Sequence, residues 1–112
     1  MTFLMKLIGI GGFLLITTTS SFGASFDCQK ATTKVERLIC SNTKLSKLDS
    51  KMSDDFCAVI APGQMPDQDR EPNIQEQKTW LKQRNQCQTT VCLFKSYKKR
   101  LATLDILLNT YD

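Results

Sequence analysis

The chain has 112 residues, with 15 basic and 11 acidic side chains, a formal net charge of +4 and no histidine. The lack of histidine excludes Ser-His-Asp and Cys-His nucleophilic sites and removes the commonest metal ligand. The length allows one small domain, and the five cysteines, none of them in a CxxC pair, favour disulfide bonds over zinc ligands.

The first 24 residues have the pattern of a secretory signal peptide. They contain one lysine, no acid, an apolar centre over 7–16 and small residues at the end. The apolar centre is shorter than the span of about 20 residues that a transmembrane helix needs, which favours a cleaved leader. Cleavage after Gly23 satisfies the small-x-small rule, and cleavage after Ala24 is the alternative. We therefore expect residues 25–112 to form a periplasmic or secreted domain without a transmembrane span.

The first helix of the mature chain is predicted from Lys34 to Cys40, because Thr33 and Glu36 form a capping-box pattern. A helix of that length rises about 10 Å, and the residues before it can reach back about 17 Å. A bridge between Cys28 and Cys40, whose Cα atoms must lie within about 7 Å, is therefore feasible if the intervening segment folds back along the helix.

A second helix is predicted from Lys44 to Ala61, after a break and cap at Asn42. Apolar residues recur along it at spacings of three and four and predict one buried stripe: Leu45, Leu48, Met52, Phe56 and Val59. The segment from Pro62 to Asn73 contains three prolines and little apolar content, which predicts a loop.

A third helix is predicted from Ile74 to Cys87 and a fourth from Thr90 to Asn109. The fourth has the clearest apolar pattern in the chain: Val91, Phe94, Tyr97, Leu101, Leu104, Leu108 and Tyr111. Continuous helix over CQTTVC would point its two cysteines to different sides. We therefore favour a helix break bridged by a disulfide between Cys87 and Cys92.

One of the five cysteines must remain unpaired, and the two bridges above leave Cys57 as a free thiol that could link two copies into a dimer. The expected fold is all-α: a small disulfide-stapled bundle of about four helices. No glycine-rich phosphate loop, metal-ligand spacing or nucleophile setting appears in the sequence. We therefore expect no enzyme activity, no cofactor and no metal.

Charge is distributed unevenly along the mature chain. Asp54–Glu76 contains six acids, whereas Lys78–Arg100 contains seven bases and no acid. Solvated helix faces are one interpretation, and a bipolar surface that selects partners by charge is the other. A nucleic-acid partner is not expected, because aromatic residues are not interleaved with the bases on an exposed face.

Two separated sequence blocks, CxKAxxxVExxIC…LxxLD from Cys28 and QxxWxxxRxxC…CLxxxYxxRL from Gln77, occur here in that order. With them, almost the whole mature chain resembles the LprI-type lysozyme inhibitor family of small exported bacterial domains. The resemblance implies a compact, disulfide-stapled helical fold in the bacterial envelope or outside the cell. It also implies, for some members, inhibition of lysozyme. The chain departs from the family where Phe56 replaces a frequent tyrosine and Cys57 follows it.

The charged and aromatic residues inside the two blocks are candidate structural or functional groups: Glu36, Asp49, Gln77, Trp80, Arg84, Tyr97 and Arg100. A glycosidase-like pair of Glu36 and Asp49 is disfavoured, because a domain this small has little room for a catalytic cleft. We expect instead an ion pair between Asp49 and Arg84 that sets the register of two facing helices. Trp80 and Tyr97 are expected to be core aromatics, with an exposed interface role for Trp80 as the alternative.

The function expected from these features is that of a binding protein that inhibits lysozyme or another peptidoglycan hydrolase. Asp67, Asp69 and Glu71 form an acidic cluster in the predicted loop. Because lysozymes are usually basic, we expect these acids to contact such a partner, unless the loop is a plain connector. The alternative function is an envelope structural or assembly domain without inhibitory activity.

Overall fold

A computed structural model describes residues 23–111, and over this range the protein is all-α, as predicted. A 3-10 turn at Cys28–Lys30 precedes four helices: α1 at Lys34–Ser41, α2 at Thr43–Val59, α3 at Asp67–Arg84 and α4 at Thr90–Thr110. The predicted leader lies outside the described residues except for Gly23 and Ala24. None of the helices between residues 23 and 111 carries an apolar stretch that could cross a membrane.

The N-terminus of α1 has the predicted capping box. The Thr33 hydroxyl accepts a hydrogen bond from the Glu36 amide at 3.1 Å, and the Glu36 carboxylate accepts one from the Thr33 amide at 3.2 Å. The 3-10 turn and the extended residues after it return the chain along α1, so that Cys28 and Cys40 form a disulfide with a Cα–Cα distance of 5.8 Å. The structure therefore contains the Cys28–Cys40 disulfide that the sequence made feasible.

The capping box of α1 should make the free energy of unfolding depend on pH. Backbone amides of Thr32 and Thr33 donate to the Glu36 carboxylate and hold its pKa below the ordinary value of 4.5. A lowered pKa in the folded state means that the stabilisation is present above the unfolded pKa and is lost as the pH falls through the folded pKa. We expect Glu36→Gln to be less stable than wild type at neutral pH by at most about 1 kcal/mol, since solvent screens the group. Urea unfolding at a series of pH values should show this gap narrowing in acid, and a gap independent of pH would contradict the assignment.

The main core lies between α2 and α4, which make the most extensive helix–helix contact of the described chain. Leu45, Met52 and Val59 of α2 are buried there, as the predicted stripe requires. On α4 the prediction for Val91 is wrong, because its side chain is 62 % exposed whereas Leu93 is fully buried. Leu93 lies four residues before the buried Tyr97 and therefore on the same helix face, whereas Val91 lies on another.

The predicted loop from Pro62 to Asn73 is wrong from Asp67 onward, because α3 begins there, seven residues before the predicted start. Pro66 occupies the N-cap position without a side-chain capping bond, and Asp67 and Asp69 lie in the first turn. Acids in a first turn are favourable, since the helix dipole is positive at that end. Prolines and acids in this segment therefore begin a helix, although their abundance suggested a connector. α3 also contains Pro72, which cannot donate a backbone hydrogen bond.

Tertiary contacts hold the early turns of α3 in place. Arg70 Nε donates to the Ile60 carbonyl at 2.8 Å, and the Tyr111 hydroxyl donates to Asp69 Oδ2 at 3.0 Å. Asn73 Nδ2 donates to the Asp69 carbonyl at 2.8 Å. The first two bonds connect the start of α3 to the ends of α2 and α4, and the third lies within α3 beside Pro72, which cannot donate a backbone hydrogen bond.

The predicted break between the last two helices is present, although α3 ends at Arg84 and not at Cys87. Thr89 is the N-cap of α4, and its hydroxyl accepts from the Cys92 amide at 3.1 Å. Cys87 and Cys92 form the second disulfide across this break, with a Cα–Cα distance of 5.5 Å. Cys57 is an exposed free cysteine on α2.

Candidate functional site

Side chains from three helices meet in a buried polar cluster that we call the Asp49 cluster: Asp49 of α2, Arg84 of α3 and Tyr97 of α4. The Tyr97 hydroxyl donates to Asp49 Oδ1 at 2.5 Å. Arg84 Nη1 lies 3.5 Å from the same oxygen and donates to the Tyr97 hydroxyl at 3.2 Å. Asp49 is fully buried and Arg84 is 7 % exposed. The structure thus places the two charges of the predicted ion pair together and adds Tyr97 to them.

The second oxygen of Asp49 is bound by the segment before α1. Both the backbone amide and the hydroxyl of Ser25 donate to Asp49 Oδ2, at 2.8 Å and 2.5 Å. Ala24 is buried beside them, and the Ser50 hydroxyl donates to the Gly23 carbonyl at 2.9 Å. The sequence contains no local signal for these contacts, because Ser25 and Asp49 lie 24 positions apart. Both oxygens of the buried carboxylate therefore have protein partners, as a buried charge requires.

Trp80 packs beside the Asp49 cluster. Its ring makes an edge-to-face contact with the Tyr97 ring at a centroid distance of 5.2 Å, and its Nε1 donates to the Ser96 carbonyl at 3.4 Å. Burial is the largest cause that raises the pKa of Tyr97, whose hydroxyl therefore stays protonated and donates to Asp49. The structure places both aromatic residues in the core, and the alternative of an exposed Trp80 does not fit its burial.

A second polar link joins the same three helices, one turn from the Asp49 cluster along α2 and α4 and two turns from it along α3. Arg100 Nε of α4 donates to Gln77 Oε1 of α3 at 3.0 Å, and Gln77 Nε2 lies 3.1 Å from Met52 Sδ of α2. Arg100 is 5 % exposed, and this burial lowers its pKa from the ordinary value. Six of the seven candidate residues in the two sequence blocks therefore lie in one continuous buried region.

Glu36, the seventh, lies apart from this region. Its carboxylate oxygen accepts from Thr32 and Thr33 at the start of α1 and makes no hydrogen bond to the Asp49 cluster. Asp49, in turn, is closed off from solvent by Ser25 and Tyr97. The two carboxylates that a glycosidase would need are thus each used in a separate structural contact.

The three acids expected to contact a partner lie in the first turns of α3 and differ in their availability. Asp69 is half-buried and bound by the Tyr111 hydroxyl, a hydrogen bond that is the largest cause raising the pKa of Tyr111. Asp67 and Glu71 are exposed. Among residues 23–111, Glu71 has one side-chain hydrogen bond, from Gln75 of its own helix at 2.7 Å. We call Asp67 and Glu71 the acidic end of α3.

An open groove between α3 and α4 was not predicted from the sequence. Its α3 side carries Glu76, Thr79, Trp80 and Gln83. Its α4 side carries Ser96, Lys99, Arg100 and Thr103. The cavity volume is about 330 Å³. These positions repeat at helical spacings of three and four on two helices, but the sequence alone did not indicate that the two faces lie side by side.

In the part of the chain that the structure describes, no three metal-ligating side chains lie close enough together to hold an ion. Comparison of the chain with protein-family models, with curated proteins and with solved structures gave no match. The likeness to LprI-type inhibitors therefore continues to depend on the two sequence blocks alone.

Proposed function

We propose that the protein is an exported binding protein that inhibits lysozyme or a related cell-wall hydrolase. The observation that carries the proposal is that residues of the two sequence blocks hold the helices together. Asp49, Arg84, Tyr97 and Trp80 bind one another and fix three helices, while two disulfides fix the ends of the chain segments around them. A rigid small scaffold of this kind loses little conformational entropy when it binds a partner.

The acidic end of α3 is the surface that we assign to the partner. A lysozyme cleft works with carboxylates around a sugar-binding groove, and an inhibitor must cover that groove. Lysozymes are usually basic, so exposed acids on the inhibitor accelerate the encounter. Asp67 and Glu71 are exposed and make no ion pair with a residue in the range 23–111, which leaves their charge available to a partner.

Inhibition and the role of the acidic end can be measured in one assay. We expect the oxidised protein to slow lysis of a cell-wall suspension by lysozyme. The double variant Asp67→Asn with Glu71→Gln should weaken inhibition by about 2- to 10-fold at low salt, as expected for exposed charges. Its inhibition should also depend less on salt than that of wild type. Asp69 is left unchanged because it bonds to Tyr111.

The matched control is Asp54→Asn with Asp105→Asn, which removes the same charge from two other exposed acids. We expect this control to inhibit nearly as well as wild type. An equal loss in both double variants would mean that net charge matters and the acidic end does not. Failure of the wild-type protein to inhibit any of a panel of lysozymes and other peptidoglycan hydrolases would reject the inhibitor proposal itself.

The second candidate function is an envelope structural or assembly domain without inhibitory activity. The observation that favours it is Cys57, an exposed thiol on α2 that lies outside both disulfides. Such a thiol can link the domain covalently to a second copy or to another envelope protein. The lysis assay separates the two candidates, because an assembly domain should leave the rate of lysis unchanged.

A further inference from the structure

The groove between α3 and α4 contains an Arg side chain with unused donors. Arg100 is 5 % exposed, and its one hydrogen bond to the described residues uses Nε. A guanidinium has five N–H donors in a planar fork, so the two terminal amino groups remain. They belong to a residue that lines the groove and has no carboxylate within ion-pair distance in the range 23–111. Glu76 lies beyond ion-pair distance, so an anion that enters the groove can take the direct contacts to this guanidinium.

The charges around Arg100 favour a single negative group. Lys99 adds a second positive charge to the groove, and Glu76 on the opposite wall contributes one negative charge. A monoanion is therefore matched better than a dianion such as a phosphate ester. Arg also recognises a planar carboxylate through two parallel hydrogen bonds, which a point charge cannot provide.

The remainder of the groove indicates the rest of the ligand. Hydroxyl or amide side chains of Thr79, Gln83 and Thr103 line it, and part of the Trp80 ring reaches it. Hydroxyl and amide groups pair with the hydroxyls of a sugar. A volume of about 330 Å³ lies at the small end of the range for small-molecule sites.

We propose that this groove binds an acidic sugar, with the ligand carboxylate on Arg100 and Lys99 and the sugar hydroxyls on the polar side chains of Thr79, Gln83 and Thr103. The inference does not depend on the inhibitor proposal, because it concerns a different surface from the acidic end of α3. Two charge-assisted hydrogen bonds to a partly solvated site correspond to a dissociation constant on the order of 1 mM for a monosaccharide.

Trp80 is the only tryptophan of the chain, so its fluorescence reports on the groove directly. We would titrate the oxidised protein with N-acetylmuramic acid and with N-acetylglucosamine, which differ by the lactyl group that carries the carboxylate. A saturable change with the acid alone is expected, and it should weaken as salt is added. Glucuronic acid, a second acidic sugar, distinguishes a ligand derived from the cell wall from acidic sugars in general.

Binding by two variants tests whether Arg100 holds the ligand carboxylate. Arg100→Lys keeps the charge but removes the fork, and we expect about 10-fold weaker binding of the acid, the equivalent of one charge-assisted hydrogen bond. Lys95→Gln, which removes an exposed charge that does not line the groove, is the matched control and should bind like wild type. Amide chemical shifts read the site without any variant: the acid should move signals of residues 76–83 and 96–103. No saturable change in wild type, equal binding of both amino sugars, or shifts confined to other residues would each overturn the proposal.

Discussion

Replacement of Asp49 by alanine is expected to lower the free energy of unfolding by about 3–5 kcal/mol, the loss typical when a buried ion pair is broken from one side. The substitution leaves the buried Arg84 guanidinium without its counter-ion and the Tyr97 hydroxyl without its acceptor. It also frees Ser25, whose amide and hydroxyl both bind Asp49. The measurement is urea unfolding of the oxidised protein, followed by far-UV circular dichroism.

Asp55 on the same helix is the matched control. It also forms an ion pair, with Lys51 Nζ at 2.8 Å, but the Lys51 side chain is 64 % exposed. Exposed pairs at this helical spacing contribute little, so Asp55→Ala should cost no more than about 0.5 kcal/mol beyond the change in helix propensity. If Asp49→Ala and Asp55→Ala lowered the free energy of unfolding by similar amounts, the burial of Asp49 would not explain its contribution to stability.

Removal of the disulfide between Cys28 and Cys40, by serine at both positions, is expected to destabilise the domain by about 3 kcal/mol in the chain-entropy model. The bridge spans 12 positions and is what connects the segment around the 3-10 turn to α1. The Cys87–Cys92 bridge spans only 5 positions, and its removal should cost about 2 kcal/mol because a shorter loop restricts the unfolded chain less.

Cys57→Ser provides the reference for these two double variants, since Cys57 is exposed and outside both bridges. It should unfold at the same urea concentration as wild type. The double variants and this control can be compared under oxidising conditions, and wild type in reductant should resemble a variant that lacks both bridges. A larger loss at Cys87–Cys92 than at Cys28–Cys40 would contradict an entropic origin of the stabilisation.

Several features of the fold follow from signals that act over a few residues, and these were predicted correctly. Thr33 caps α1 and Asn42 caps α2, because each side-chain oxygen needs only an amide three residues away. The spacing of three and four along α2 identified its buried stripe. The all-α class and the breaks at Asn42 and near Cys87 follow from the same local patterns.

The wrongly predicted start of α3 depended on contacts between distant residues. α3 begins at Asp67 because Arg70 and Asp69 bind the ends of α2 and α4, although the local composition is that of a loop. The error at Val91 is local instead: Leu93 lies four residues before Tyr97 and shares its helix face, but α4 carries apolar residues on several neighbouring faces. Helical periodicity alone allows several neighbouring faces on an apolar helix.

The amino-acid sequence by itself determined that the chain forms four helices, where α1, α2 and α4 lie, how α1 and α2 are capped and which cysteine pairs are close enough along the chain to bridge. Hydrogen bonds and steric preferences within a few residues are sufficient for those features. The tertiary structure alone decided that Asp49 meets Tyr97 from 48 positions away, that Ser25 closes the other side of the same carboxylate, and that two polar helix faces enclose a groove. Such contacts depend on how the helices pack, because a buried charge is stable only where the fold brings it several partners at once.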